Sequence, residues 1–165
     1  MRKAFVALAA VAALAACASR GEPTPTPTEP TPPTQTAPRG PTPGSVEDFR
    51  VSVGDRVFFG YDRFDLTPEA RQVLERQAAW LRQYPNVRIL VAGNCDERGT
   101  REYNLALGER RASAARDYLV SLGVAANRVE TVSYGKERPL DARSNEEAWS
   151  VNRNAHTQIV SGAVA

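Results

Sequence analysis

The sequence predicts an α+β fold, a βαβαβ(α)β sandwich whose single mixed sheet carries its helices packed on one face. Three observations predict it. Short apolar runs of strand length alternate with two long segments of helical period, and capping residues stand where those helices must begin and end. The first 45 residues, in contrast, have a composition that belongs to no core.

Val57-Phe58-Phe59 forms the first strand and runs into the polar turn Tyr61-Asp62-Arg63-Phe64-Asp65. Thr67 then offers an N-cap hydroxyl and Pro68 a pre-set first helical position. Ala70, Val73, Leu74, Ala78, Leu81 and Tyr84 follow at helical spacing, and Pro85 ends the helix. Residues 87–92 (VRILVA) are the second strand, which enters a charged loop. Thr100 caps a second helix with apolar positions Ala112, Ala115, Leu119 and Leu122, and Gly123 stops it. Residues 129–134 are a third strand, 145–152 a short helix and 155–160 a last strand. Helical crossovers imply parallel pairing, while the last strand can pair either way, so the sheet is mixed.

Ahead of this domain, Arg2 and Lys3 precede the apolar run Ala4 to Ala13. That is the basic and apolar pattern of a secretory signal peptide, and at roughly a dozen apolar residues it is shorter than the ~20 that span a bilayer. Leu14-Ala15-Ala16-Cys17 resembles a bacterial lipobox, which implies cleavage after residue 16 and acylation of Cys17. Residues 17–45, dominated by Pro and Thr from residue 22 on, lack apolar side chains to bury and read as a disordered, polyproline-biased linker. At ~3.1 Å per residue it reaches roughly 80 Å when extended. Residues 46–165 are then one domain of ordinary size.

Removing Arg2 and Lys3 from the 21 basic residues leaves 19 against 19 acidic ones, so the exported chain is near neutral and has no nucleic-acid signature. Charge is concentrated instead in residues 93–112, GNCDERGTREYNLALGERRA, at a strand end, a loop and a helix start. Asp96 in that loop can brace its own turn or accept from a ligand's ammonium. Arg111 can be a solvated helix charge, a partner of Asp96, or a two-pronged donor to a carboxylate. Asn104, Gly108 and Arg111 lie four and three residues apart and share a helix face, where Gly108 leaves bare backbone towards the loop. Glu109 and Arg110 read as an exposed, solvated pair.

The stretches VFFGYD (57–62), AWL (79–81), GNCDERGT (93–100), EYNLALGERRA (102–112), SYGKERP (133–139) and Asn152-Arg153, in this order, resemble the peptidoglycan-associated lipoprotein family of the Tol-Pal system, within the wider OmpA-like peptidoglycan-binding domains. The resemblance covers nearly all of residues 56–160. It implies an OmpA-like sandwich that binds the diaminopimelate of peptidoglycan stem peptides non-covalently, with Asp96 on the ammonium and Arg111 on the carboxylate. It further implies that Asn104, Asp65, Asn94 and Arg153 border the pocket. A periplasmic TolB-like β-propeller and other Tol components are the implied protein partners, with roles in envelope integrity and outer-membrane constriction during division. Lipid anchoring at Cys17, followed by Ala18 and Ser19 rather than Asp, implies the outer membrane with the domain facing the periplasm. Two positions depart from the family: Asn94 often stands as His, and Asn154 replaces a commoner Arg whose contacts are not carried over.

Two alternatives accompany this reading. One is an OmpA-like wall-binding lipoprotein without Tol partners. The other is a hydrolase using Cys95 as nucleophile and His156, the only histidine, as base. No GxSxG, HExxH, phosphate-loop or CxxC pattern is present, so the sequence predicts a binding protein without cofactor or metal.

Overall fold

The computed structural model describes residues 40–165. The signal peptide, the lipidation residue Cys17 and the linker before residue 40 lie outside the described residues. Four strands form one sheet in the order β1-β4-β2-β3: β1 Arg56–Phe58, β2 Arg88–Asn94, β3 Val129–Gly135 and β4 Asn154–Ser161. Parallel pairing joins β2 and β3, whose crossover is the long helix. The last strand inserts antiparallel between β1 and β2, with Val57 opposite Ala155 and Val91 opposite Thr157. The sheet is therefore mixed.

Two of the helices form the layer over it. Helix α2, Pro68–Gln83, starts where the Thr67 hydroxyl accepts from the Ala70 N–H at 3.2 Å. Helix α3, Arg101–Ser121, starts the same way from Thr100 to Tyr103. Past its end, Gly123 adopts φ 93°, and the Gly123 and Val124 N–H groups close back onto Val120 and Leu119 carbonyls, a Schellman turn. Leu74, Ala78 and Leu81 of α2 and Ala112, Ala115 and Leu119 of α3 share one buried cluster with Val57, Ile89, Val91, Val129 and Ala155. Strand alternation puts residues 89, 91 and 93 on this helix-covered face and residues 88, 90, 92 and 94 on the opposite one. Among the described residues the buried cluster lies between Phe49 and Val129 or in β4, so residues 40–165 hold one continuous core of the kind independently folding domains have.

The sequence reading has no element before the first strand, whereas the structure places a helical turn there, α1 Val46–Asp48, widened through Phe49–Val53. Tertiary contact holds it. Asp48 accepts from Trp80 Nε1 at 2.8 Å, and Phe49 meets the Trp80 ring edge-on at 5.0 Å. Gln77, fully buried, donates to the Gly54 carbonyl at 2.7 Å and accepts from Thr157 at 2.9 Å, tying this segment, α2 and β4 together.

One contact sets the height of α3 above the sheet. A Cβ on Gly93 would lie 1.8 Å from the Gly108 carbonyl oxygen, and one on Gly108 would lie 2.3 Å from Ser133 Oγ. Strand and helix backbones therefore touch directly. Gly108 faces Gly93, and is not the bare patch turned towards the loop that helical spacing suggested. Its close seat brings Arg111, one turn later, down over the end of β2.

Candidate functional site

Arg111 is the largest fully buried side chain among the described residues, 1% exposed. Its Nε donates to the Arg63 carbonyl at 2.8 Å, Nη1 to the Asn94 carbonyl at 2.8 Å and Nη2 to the Gly60 carbonyl at 3.1 Å. One guanidinium thus fastens the turn after β1 to the end of β2. Burial pushes its pKa below the usual range for arginine, yet a group that ordinarily titrates above 12 keeps its charge. Three of its five N–H groups are engaged in these contacts, which leaves two.

Asp96 follows β2 and is 4% exposed. Oδ1 accepts from the Arg98 backbone N–H at 3.1 Å and Arg98 Nε at 3.2 Å. Oδ2 accepts from Arg98 Nη2 at 2.6 Å and Arg153 Nη1 at 3.3 Å. A carboxylate offers about four acceptor positions, so this one is saturated. Burial pushes its pKa up, but the hydrogen bonds from Arg98 and Arg153 outweigh that effect and hold it below the usual carboxylate value.

Arg98 is the residue that sequence reasoning missed. Its guanidinium lies 4.2 Å from the centre of the Tyr61 ring and 4.1 Å from that of Trp149, between two aromatic faces, while it clasps Asp96. Trp149 belongs to α4, Glu146–Asn152, which Asn145 caps. Trp149 is fixed in turn by donating to Glu97 at 3.0 Å. The available signal was the Asp-x-Arg spacing, which lets Asp96 form a local turn with the Arg98 N–H. Nothing local names the two rings.

Between these groups lies a cavity of about 150 Å³, lined by Asp62, Asp96, Arg98, Asn104, Leu107 and Arg111 among others. Two carboxylates face two guanidinium groups. Asp62, the one non-glycine residue with positive φ (56°) among the described residues, accepts from the Tyr103 hydroxyl at the rim. The cavity is small beside the ~300–1,000 Å³ of drug-sized pockets and suits the end of a small polar group.

The structure gathers some of the expected residues and separates others. Asp96, Arg111 and Asn104 line the same cavity. Asn104 spends its amide on the Arg98 and Thr100 carbonyls at 2.7 and 3.1 Å, so it holds the loop in shape. Arg153 stands behind Asp96, braced by the Phe59 carbonyl and Glu146. Asp65 is exposed and paired with Arg63, outside the cavity. Asn94 gives only its carbonyl to Arg111, while its side chain meets Asn154 on the opposite face of the sheet. Cys95 and His156 do not form a pair. The Cys95 thiol, pushed up to about 11 by burial, donates to the Asn104 carbonyl, whereas His156 contacts Asp55, Arg56 and Gln158 on the other face.

Residues 58–153 match the model of the OmpA family. The peptidoglycan-associated lipoprotein of Rhizobium meliloti (strain 1021) is 56% identical over 122 residues, 74% of this chain and 69% of that protein. That of Mesorhizobium japonicum is 57% identical over 122 residues, 74% of this chain and 72% of the relative. Among solved structures, the peptidoglycan-associated lipoprotein from Burkholderia pseudomallei superposes with TM-score 0.62 at 41% identity, covering 64% of this chain and 89% of that one. The C-terminal domain of Helicobacter pylori MotB shares the fold, with TM-score 0.61 at 22% identity over 65% of this chain and 84% of its own.

Proposed function

Because this chain belongs to the OmpA family, and within it to the peptidoglycan-associated lipoproteins, we propose that it is an outer-membrane lipoprotein that grips the cell wall non-covalently, its Asp96–Arg111 cavity taking the zwitterionic end of diaminopimelate in a stem peptide. The observation that carries the reading is the shared cavity: a carboxylate and a guanidinium, both nearly fully buried, line one small chamber of balanced charge. A carbon bearing both an ammonium and a carboxylate presents the complementary pair. The ligand carboxylate takes the two N–H groups that Arg111 has left, a fork geometry that lysine does not offer.

The ammonium goes to Asp96. Since that carboxylate is saturated, the ammonium must replace a donor, and the geometry supports only one choice. The Arg98 N–H is fixed backbone, and Arg153 is held at three points. The Arg98 side chain, 31% exposed against 8% for Arg153, is the donor nearest solvent, and to swing outward it must also leave the Tyr61 and Trp149 rings. Binding on this reading exchanges one cation for another at Asp96.

Acyl chains at Cys17 anchor the chain in the outer membrane, the Pro-Thr linker spans the gap, and the domain in the periplasm clasps the wall. Exchange of partners gives weak contacts, and confinement near the wall raises the effective concentration that makes them suffice. A TolB-like protein and other Tol components complete the assembly in which such reversible contacts serve envelope integrity and division. The test is co-sedimentation of residues 40–165 with purified sacculi, wild type against Asp96→Asn and Arg111→Lys, with circular dichroism on the same samples. The reading expects the wild type to pellet and both folded variants to stay in solution. If all three pellet alike, this cavity is not the wall site.

A further inference from the structure

The open face of the sheet carries a second cavity, of about 180 Å³, whose chemistry differs from that of the first. Arg56, Arg138, His156, Asn94, Asn154 and Gln158 line it, and no carboxylate does. Arg138 lies 3.6 Å over the Tyr134 ring and forms no hydrogen bond or ion pair among the described residues. Arg56 spends Nη1 on Asp55 and Nη2 on His156, and its buried Nε has no acceptor. Asp55 itself stands beside the cavity without lining it.

His156 adds no negative charge. Its Nδ1 receives both Arg56 Nη2 at 3.4 Å and Gln158 Nε2 at 3.2 Å, so the ring proton sits on Nε2 and is donated to Asp55 at 3.2 Å. The amides of Asn94 and Asn154 bond each other at 3.0 Å, which fixes their orientation at the cavity wall. The chamber thus offers two guanidinium groups short of acceptors and one N–H left on the Gln158 amide, while the Asn94 and Asn154 amides spend their N–H groups within the protein and only shape the wall. Its size admits a single small group, not a sugar ring with substituents.

We propose that this cavity is an anion site that takes one oxyanion group, a carboxylate or a phosphate, independently of the Asp96 cavity on the other face of the sheet. Arg138 supplies a fork for two of the oxygens, and Arg56 supplies charge from below. The site needs nothing from the wall-binding reading, and either stands without the other.

Side-chain NMR of residues 40–165 tests it, with acetate and inorganic phosphate as probes and ionic strength held constant with sodium chloride. Saturable shifts confined to Asn94, Asn154, Arg56 and Arg138 are expected, unchanged in Asp96→Asn and at least about tenfold weaker in Arg138→Gln. Arg138 is exposed and its one contact is the Tyr134 ring, so its variant keeps the fold; Arg56→Gln serves as the second variant. A parallel flotation assay uses phosphatidylcholine vesicles with and without phosphatidylglycerol. Flotation that depends on phosphatidylglycerol and Arg138 assigns the oxyanion to a lipid headgroup, and probe binding without flotation assigns it to a soluble or polymer-borne group. Shifts that track sodium chloride alone, or that are equal in Arg138→Gln and wild type, overturn the proposal.

Discussion

Replacing Arg98 by alanine should strengthen ligand binding, against the usual expectation for a charged residue beside a pocket. In the free protein the Arg98 side chain makes two hydrogen bonds to Asp96, at 3.2 and 2.6 Å, and these must break before an ammonium can enter. A charge-assisted hydrogen bond contributes roughly 1.5–3 kcal/mol. With the arginine about one-third exposed, solvent screens the pair, and ~1 kcal/mol is the better figure. Removing that competitor should raise affinity about fivefold. The same change costs about 2 kcal/mol of folding stability, because Asp96 keeps only the Arg98 N–H and Arg153 and the Tyr61 and Trp149 rings lose the guanidinium between them. Calorimetry with a diaminopimelate-containing stem peptide, paired with urea denaturation, reads both quantities. If Arg98→Ala binds as poorly as Asp96→Asn, Arg98 itself holds the ligand and the exchange reasoning is wrong.

Other consequences are as direct. Arg111→Ala strips donors from three carbonyls in a buried site and should cost about 3–5 kcal/mol, seen as a large drop in the urea midpoint; Arg111→Lys should lose binding with a smaller stability loss. Gly93→Ala forces a Cβ into the Gly108 carbonyl and should destabilise by more than ~3 kcal/mol or abolish folding, as thermal melts will report. The Cys95 thiol, pushed up to about 11, should resist iodoacetamide at about pH 8 until urea unfolds the chain. His156 has its pKa lowered by burial first and by Arg56 second, against the opposing pull of Asp55. The unfolded chain therefore takes up the proton first as pH falls. The His156 contribution to stability should be level above about pH 7, decline as pH drops through about 6.5 towards the folded pKa, and then level again. In His156→Gln that decline should vanish from denaturation curves measured across the same range.

How much was legible depends on where the cause of each feature lies. Thr67, Thr100 and Asn145 cap helices by bonding to residues three positions on, so the boundaries of α2, α3 and α4 follow from local sequence. The turn at Val46–Val53 has a local cap as well, Ser45 accepting from the Asp48 N–H at 3.1 Å, but it is too short to show a helical period and leans on Trp80, a residue with no local relation to it. Asn94 was misplaced for a simple reason. Resemblance alone put it at the pocket, whereas the strand runs through Asn94, past the Ala92 end read from sequence, and alternation turns its side chain to Asn154 on the opposite face. Gly108 was read from helical spacing alone, which identifies a face and says nothing of what presses on it.

The charges of the site teach a further point about density of charge in a sequence. A run such as residues 93–112 reads as a solvated face, a set of internal partners or a ligand site, and the structure shows its two central charges engaged within the protein. Asp96 and Arg111 are both almost fully buried and both already engaged, Arg111 by backbone and Asp96 by arginines. Buried charges persist only when paired, so the groups around the cavity satisfy one another. A ligand can then contribute only the difference between its own contacts and those it displaces. On the proposed reading, that difference is what keeps wall contact weak per site and reversible, and it places the control of affinity in Arg98, which leaves, more than in Arg111, which stays.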